Sequence, residues 1–225
     1  MTETILIYGG AFDPPHIGHV RSIEEGLRAV PGAFPLVVPS VKPFVAGGAS
    51  KQSMFSFDER YSLCKKVFGP VFGSRGQVSD IESSLVLDGP CYSLYLVRRM
   101  LQQFKGAEAW LLLGQDQLAE FASWFQPREL LELVKLAVLL RRNPSGDFPS
   151  QVELGGLAQR LNVDYDWLMS RVKVLKNPLH EASSSEIRAA LRHGKMPNRR
   201  WIPQEIQEDL ARVAEQFARS IPGSP

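Results

Sequence analysis

Apolar residues collect along this chain in short unbroken runs, separated by longer stretches in which they recur every three or four positions. Ile5, Leu6, Ile7 and Tyr8 form the first run, and the absence of a polar interruption predicts a strand covered on both faces. Ile17, Val20, Ile23, Leu27 and Val30 follow at the spacing of one helix face. The alternation persists, with predicted strands at 34–39, 77–81, 109–113, 133–140 and 172–175. Predicted helices lie at 57–68 (opened by Ser56 or Asp58), 92–104, 115–121 and 152–161, and begin again near 184 and near Pro203. Such an order predicts an α/β fold built on a doubly wound parallel sheet with C-terminal helices, in which ligands bind beyond the carboxyl ends of the strands. The expected organisation is a single domain over 1–225, an α/β core to about 178 and a helical part from about 179.

The turn between the first strand and helix reads Gly9-Gly10-Ala11-Phe12-Asp13-Pro14-Pro15-His16-Ile17-Gly18-His19. Two glycines remove the side chains that would hold the backbone away from a phosphate. His16 and His19 fall one turn apart at the helix start, where unpaired amides and the positive end of the dipole favour anions. Asp13 stands where it would cap that helix. A second candidate is Ser183-Ser184-Ser185-Glu186-Ile187-Arg188. Ser183 and Glu186 have capping-box spacing, which is a purely structural reason for the pattern. Arg188, however, brings a cation close to a helix start, a conflict that a bound anion would remove. The serines supply donors of the kind phosphate oxygens accept.

Composition narrows the partner. With 225 residues, 44% of them hydrophobic, the chain can bury a full core without disulfides. A net charge of +2, with Lys and Arg scattered, argues against a nucleic-acid partner and for small molecules. Cys64 and Cys91 lack zinc-site spacing and fit a reducing cytosol. The first apolar run is too short for a signal peptide, and no stretch has the length of a membrane span, so a soluble cytoplasmic protein is expected. A homo-oligomer is possible.

Taken together, the two motifs resemble those of the nucleotidylyltransferases that carry His-x-Gly-His on a Rossmann-like fold, with every fixed position of Gly-Gly-x-Phe-Asp-Pro-x-His-x-Gly-His met. Within that family, Gly114-Gln115-Asp116, Trp124-Phe125, Gly89-Pro90-Cys91-Tyr92-Ser93 and Arg141-Arg142 resemble the bacterial nicotinate mononucleotide adenylyltransferases of NAD synthesis. The likeness implies direct attack of the mononucleotide phosphate on the α-phosphorus of ATP, with magnesium accompanying the ATP and no protein nucleophile. It also implies that Gly9, Gly10, Ala11, Phe12, His16, His19, Ser184, Ser185 and Arg188 hold the triphosphate, and Gly114 and Asp116 the adenosine ribose. Asp116 is equally placed to cap the next helix. Tyr92, Ser93, Trp124, Phe125 and Arg141 (or Arg142) would surround the mononucleotide, although either aromatic at 124–125 also suits simple packing.

Two segments depart from the family pattern. After the second strand the chain reads Pro39-Ser40-Val41-Lys42-Pro43-Phe44, without the usual histidine and with the lysine displaced. Lys42, then Lys51, is the nearest candidate for a phosphate contact, within a long Gly-, Ser- and Lys-rich loop over 40–55. After Arg142 the usual Pro-Gly is spread over residues 143–146. Competing readings keep the chemistry with nicotinamide mononucleotide or phosphopantetheine as acceptor, or keep the pocket without turnover as a nucleotide-binding regulator. The literal His-Ile-Gly-His also suggests a class I aminoacyl-tRNA synthetase, but the chain is short and has no Lys-Met-Ser-Lys-Ser segment.

Overall fold

A computed structural model describes residues 3–43, 52–85, 91–140, 151–175 and 182–220. Six strands, β1 (Thr4–Gly10), β2 (Phe34–Pro39), β3 (Gln77–Val78), β4 (Glu108–Gly114), β5 (Val134–Leu139) and β6 (Val172–Leu175), form one sheet in the order β3-β2-β1-β4-β5-β6. Every neighbouring pair is parallel. The period-two alternation of a strand sorts its side chains to the two faces. Leu6 and Tyr8 of β1 join one core with α1 (Ile17–Ala29), α2 (Phe57–Phe72), α9 (Ser184–Arg192) and α10 (Gln207–Ser220). Ile5 and Ile7 join the other, with α4 (Ser93–Gln103), α5 (Gln115–Glu120), α6 (Pro127–Leu133), α7 (Gln151–Leu161) and α8 (Tyr165–Arg171). A four-residue α3 (Ile81–Ser84) lies between β3 and α4.

The Rossmann-like α/β expectation holds, and β2 and β6 keep the bounds read from the sequence. Four details differ. The strand expected over 77–81 ends at Val78, and Ile81 opens α3, although the Ser79 N–H still donates to Val37 O at 2.8 Å. The helix expected to stop at 68 runs through Gly69-Pro70 to Phe72, because Phe72 is buried and stacks on Phe68. Both α6 and α8 were unforeseen, and the run expected over 133–140 divides into the last residue of α6 and the strand β5. Among the described residues no helix is long and apolar enough to cross a membrane.

Candidate active site

The strand order places β1 beside β4, while α1 leaves β1 over one face and α5 follows β4 over the other. The crevice that opens where such connections diverge is where this architecture binds ligands. Gly10 and Gly114 are the terminal residues of those two strands, so both expected nucleotide segments begin at the crevice.

The two glycines of the first turn serve different ends. A side chain on Gly9 would meet nothing, which leaves its backbone open to approach. One on Gly10 would come within 3.2 Å of the Phe12 ring. Phe12 itself has φ +46, a left-handed backbone that costs a bulky residue on the order of 1–3 kcal/mol. Its buried ring compensates by packing edge-on against Tyr8, His19 and Phe68 at 5.3, 4.9 and 5.7 Å.

Asp13 does not cap α1. His16 is the N-cap residue, and Pro14-Pro15 hold Asp13 too far upstream. Its buried carboxylate instead accepts the N–H groups of Met54 and Phe55, each at 3.0 Å, and lies 3.6 Å from Arg188 Nη1. Two amides and a cation satisfy a desolvated carboxylate, which would be costly alone.

The imidazoles of His16 and His19 stack with centroids 3.7 Å apart. The His16 N–H donates to His19 Nδ1 at 3.1 Å. That nitrogen is therefore an acceptor, and in neutral His19 the proton sits on Nε2. Burial, with a smaller contribution from His16, pushes the His19 pKa well below its usual value, so the ring stays neutral and offers Nε2–H as a donor.

The second motif reaches the first. Ser184 Oγ donates to Pro14 O at 3.1 Å, and Arg188 Nη1 donates to Asp13 O at 2.6 Å. Arg188 is only 6% exposed and also donates through Nη2 to Ser185 Oγ at 3.2 Å. The capping box suggested by Ser183 and Glu186 does not form, since the N-cap Ser183 makes no side-chain cap bond. Among the described residues the anion that answers Arg188 is Asp13, and the arginine becomes the tie between two distant helix starts.

At the end of β4, Gly114 is the N-cap residue of α5, and its N–H donates to Gln117 Oε1 at 3.0 Å. Asp116 is therefore not the cap. A Cβ on Gly114 would lie 2.5 Å from Asp116 Oδ1, so the glycine is required for the carboxylate to fold back over the strand end. Asp116 also lines a cavity of about 700 Å³ between α5 and α7, walled by Leu118, Leu154 and Leu157. Tyr8 has its pKa pushed up to about 12, chiefly by burial, and remains a neutral phenol.

Tyr92 and Phe125 stack at 4.5 Å with Tyr95 alongside, which makes them one aromatic wall and occupies one face of Phe125. Trp124 tilts against Phe121 at 5.0 Å. Ser93 is the first residue of α4, whose start has no side-chain cap. Lys42 is exposed just beyond β2. Arg141, Arg142 and Lys51 lie outside the described residues.

Sequence reading overlooked Arg60, which is almost fully buried. It donates through Nη1 to Ala11 O at 2.7 Å, through Nε to Phe55 O at 3.2 Å and through Nη2 to Val41 O at 3.4 Å. The signal was present: Leu63, Cys64, Val67 and Phe68 follow at three, four, seven and eight residues, which puts Arg60 on the buried face of α2.

A parallel sheet with two helix starts tied together at its switch point is the framework of a nucleotidyltransferase-type fold. The chain belongs to the cytidylyltransferase-like family, whose model matches residues 7–190. Within it, the chain groups with the nicotinate-nucleotide adenylyltransferases. A relative from Thermotoga sp. (strain RQ2), named a probable nicotinate-nucleotide adenylyltransferase, is 30% identical over 92% of this chain and 94% of its own. One of the same name from Leptospira borgpetersenii serovar Hardjo-bovis (strain JB197) is 27% identical over 94% and 97%. Among solved structures, Plasmodium falciparum nicotinic acid mononucleotide adenylyltransferase complexed with NaAD shares the fold, with a TM-score of 0.69 at 16% identity over 96% of this chain and 97% of that one.

Proposed function

We propose that the chain transfers the adenylyl group of ATP to nicotinate mononucleotide, giving nicotinate adenine dinucleotide and pyrophosphate. The observation that carries this reading is the 2.6 Å bond from Arg188 to the backbone of Asp13, which unites the two phosphate-binding motifs. The acceptor comes from the family relatives and from the Tyr92–Phe125 wall. The mononucleotide phosphate attacks the α-phosphorus in line, and the bond to the departing pyrophosphate breaks. No covalent protein intermediate is needed, because such transfer relies on positioning and on stabilising charge spread over oxygens.

His19 donates from Nε2 to the phosphates, His16 lies against it, and Arg188 with the amides opening α9 holds the pyrophosphate side. Asp116 accepts the ribose hydroxyls, Trp124 stacks on the pyridine ring with Phe125 beside it, and Tyr92 and Ser93 border the nicotinate. Lys42 is the phosphate contact from the segment after β2. Magnesium would neutralise phosphate charge and is assigned to the ATP oxygens. The donors at the site suit that division, since they are imidazole, guanidinium and amide groups, and the Asp13 carboxylate is already engaged.

Pyrophosphate release, measured with ATP, magnesium and each of nicotinate mononucleotide, nicotinamide mononucleotide and phosphopantetheine, tests the reading. The first should be preferred. Preference for another acceptor would change the substrate, and ATP binding without turnover on any of them would replace the enzyme by a regulator.

A further inference from the structure

We propose that Arg60 is a positioning residue for the ATP phosphates, holding the turn after β1 in the shape that receives them. Its side chain comes from α2, is almost fully buried, and has no part in the reaction above. A buried cation of this kind is ordinarily paired with a carboxylate. Among the described residues the hydrogen bonds of Arg60 go instead to three main-chain carbonyls, Ala11 at 2.7 Å, Phe55 at 3.2 Å and Val41 at 3.4 Å. Burial lowers its pKa from the usual value, and the charges of Asp13, Cys64 and Glu82 oppose that shift.

Ala11 and Phe55 connect that grip to the phosphate site. Phe12 carries the left-handed φ of +46, and such a conformation persists only where its surroundings over-determine it. On one side of Phe12, Arg60 holds the Ala11 carbonyl; on the other, Arg188 donates to Asp13 O at 2.6 Å. Two buried arginines, one from α2 and one from α9, therefore brace a single strained residue. A trans peptide points its carbonyl and its N–H in opposite directions. Anchoring Ala11 O on Arg60 turns the Phe12 N–H away from the guanidinium, and among the described residues that N–H has no hydrogen-bond partner, which leaves it free to donate to a ligand oxygen. Phe55 adds a second link, since its carbonyl accepts from Arg60 Nε while its N–H donates to Asp13 Oδ1 at 3.0 Å. Arg188 shares its grip with the pyrophosphate in the reading above, whereas Arg60 serves the turn alone. A lysine could not do the same, because one ammonium cannot meet three carbonyls that are reached by three separate nitrogens of a planar fork.

The proposal rests on the adenylyltransferase reading. Its test compares the full chain with Arg60→Met and Arg60→Lys in two measurements, ATP binding by calorimetry and turnover with ATP, magnesium and nicotinate mononucleotide, both made well below the melting temperature of each variant. Arg60→Met removes every donor and should weaken ATP binding and lower kcat/KM for ATP by about tenfold, the size of one lost charge-assisted hydrogen bond, while KM for the mononucleotide stays within about twofold. Arg60→Lys keeps the charge and one point of contact and should recover only part of the loss. ATP affinity and kcat/KM of wild-type size in Arg60→Met would overturn the role. So would an equal loss of affinity for both substrates, or failure of both variants to fold, since either result assigns Arg60 to general packing. A wild-type chain that binds ATP without turnover would replace the functional reading and leave the binding comparison to decide this proposal, and one that does not bind ATP would remove both.

Discussion

A neutral imidazole is an unusual choice for the polyanion contact proposed for His19, and the reason lies in what surrounds the ring. Its Nδ1 accepts from the His16 N–H, its ring is packed between Phe12 and His16, and burial keeps the proton count low. Nε2 can then point one donor at charge that grows during the reaction without having to shed water first. His19→Ala should lower kcat by about a hundredfold, roughly 3 kcal/mol of transition-state stabilisation, with a melting temperature close to wild type. A near-normal kcat in the pyrophosphate assay would take His19 out of the mechanism. Gly114 offers a separate test, because a methyl group there would collide with Asp116 Oδ1 at 2.5 Å. Gly114→Ala should displace the carboxylate and raise KM for ATP about tenfold, the worth of one hydrogen bond to a charged group, with kcat less affected. Equal KM values would separate Asp116 from the ribose. Both residues were legible in the chain from their motifs, whereas the pairing of Nδ1 with a backbone N–H needed coordinates.

At the level of elements, the site is the meeting of α1 and α9, and Asp13 is the joint. It takes two amides from the segment ahead of α2 and faces the guanidinium of α9. Asp13→Asn keeps the shape but removes the charge and turns one acceptor into a donor that faces an amide. The expected loss is about 2 kcal/mol of stability, read from urea denaturation midpoints, as for a buried charged hydrogen bond broken on one side. The sequence suggested a cap at Asp13, since spacing alone cannot show that Pro14-Pro15 carry it away from the helix. The same limit explains the missed α6. Leu130, Leu131 and Leu133 run straight into Val134 without a turn residue, so helix and strand merge into one apolar run. Arg60 and Arg188 show the reverse case, in which helical spacing already marks a charged residue as buried, though not its partner.

For the molecule as a whole, stability should depend on pH through two buried groups with opposite signs. Glu82, raised from 4.5 to about 7, binds its proton more tightly when folded, so its contribution is full below about 4.5 and is lost as pH climbs through about 7. The loss amounts to roughly 3 kcal/mol, from about 1.4 kcal/mol per unit. His19, lowered below 6.5, favours the unprotonated state when folded, so it stabilises above 6.5 and the contribution is lost as the medium is acidified through its folded pKa. Urea midpoints should therefore decline between about pH 5 and pH 7 less steeply than Glu82 alone dictates, and Glu82→Gln should reverse the slope. An unchanged slope in that variant would show that Glu82 does not titrate in this range. The alternation of strands and helices announced the sheet, and the two motifs announced the family. What could not be read was the wiring beneath, because Arg60 meets Ala11, Val41 and Phe55 only once α2 packs against the ends of β1 and β2. The bond between Arg188 and the backbone of Asp13 has a further consequence for how the protein comes into being. Synthesis proceeds from the amino end, and the first half of the nucleotide cradle leaves the ribosome long before the second. A nascent chain ending before residue 188 has the histidines but not the clasp, so the ATP site proposed here cannot be complete until that arginine has been made.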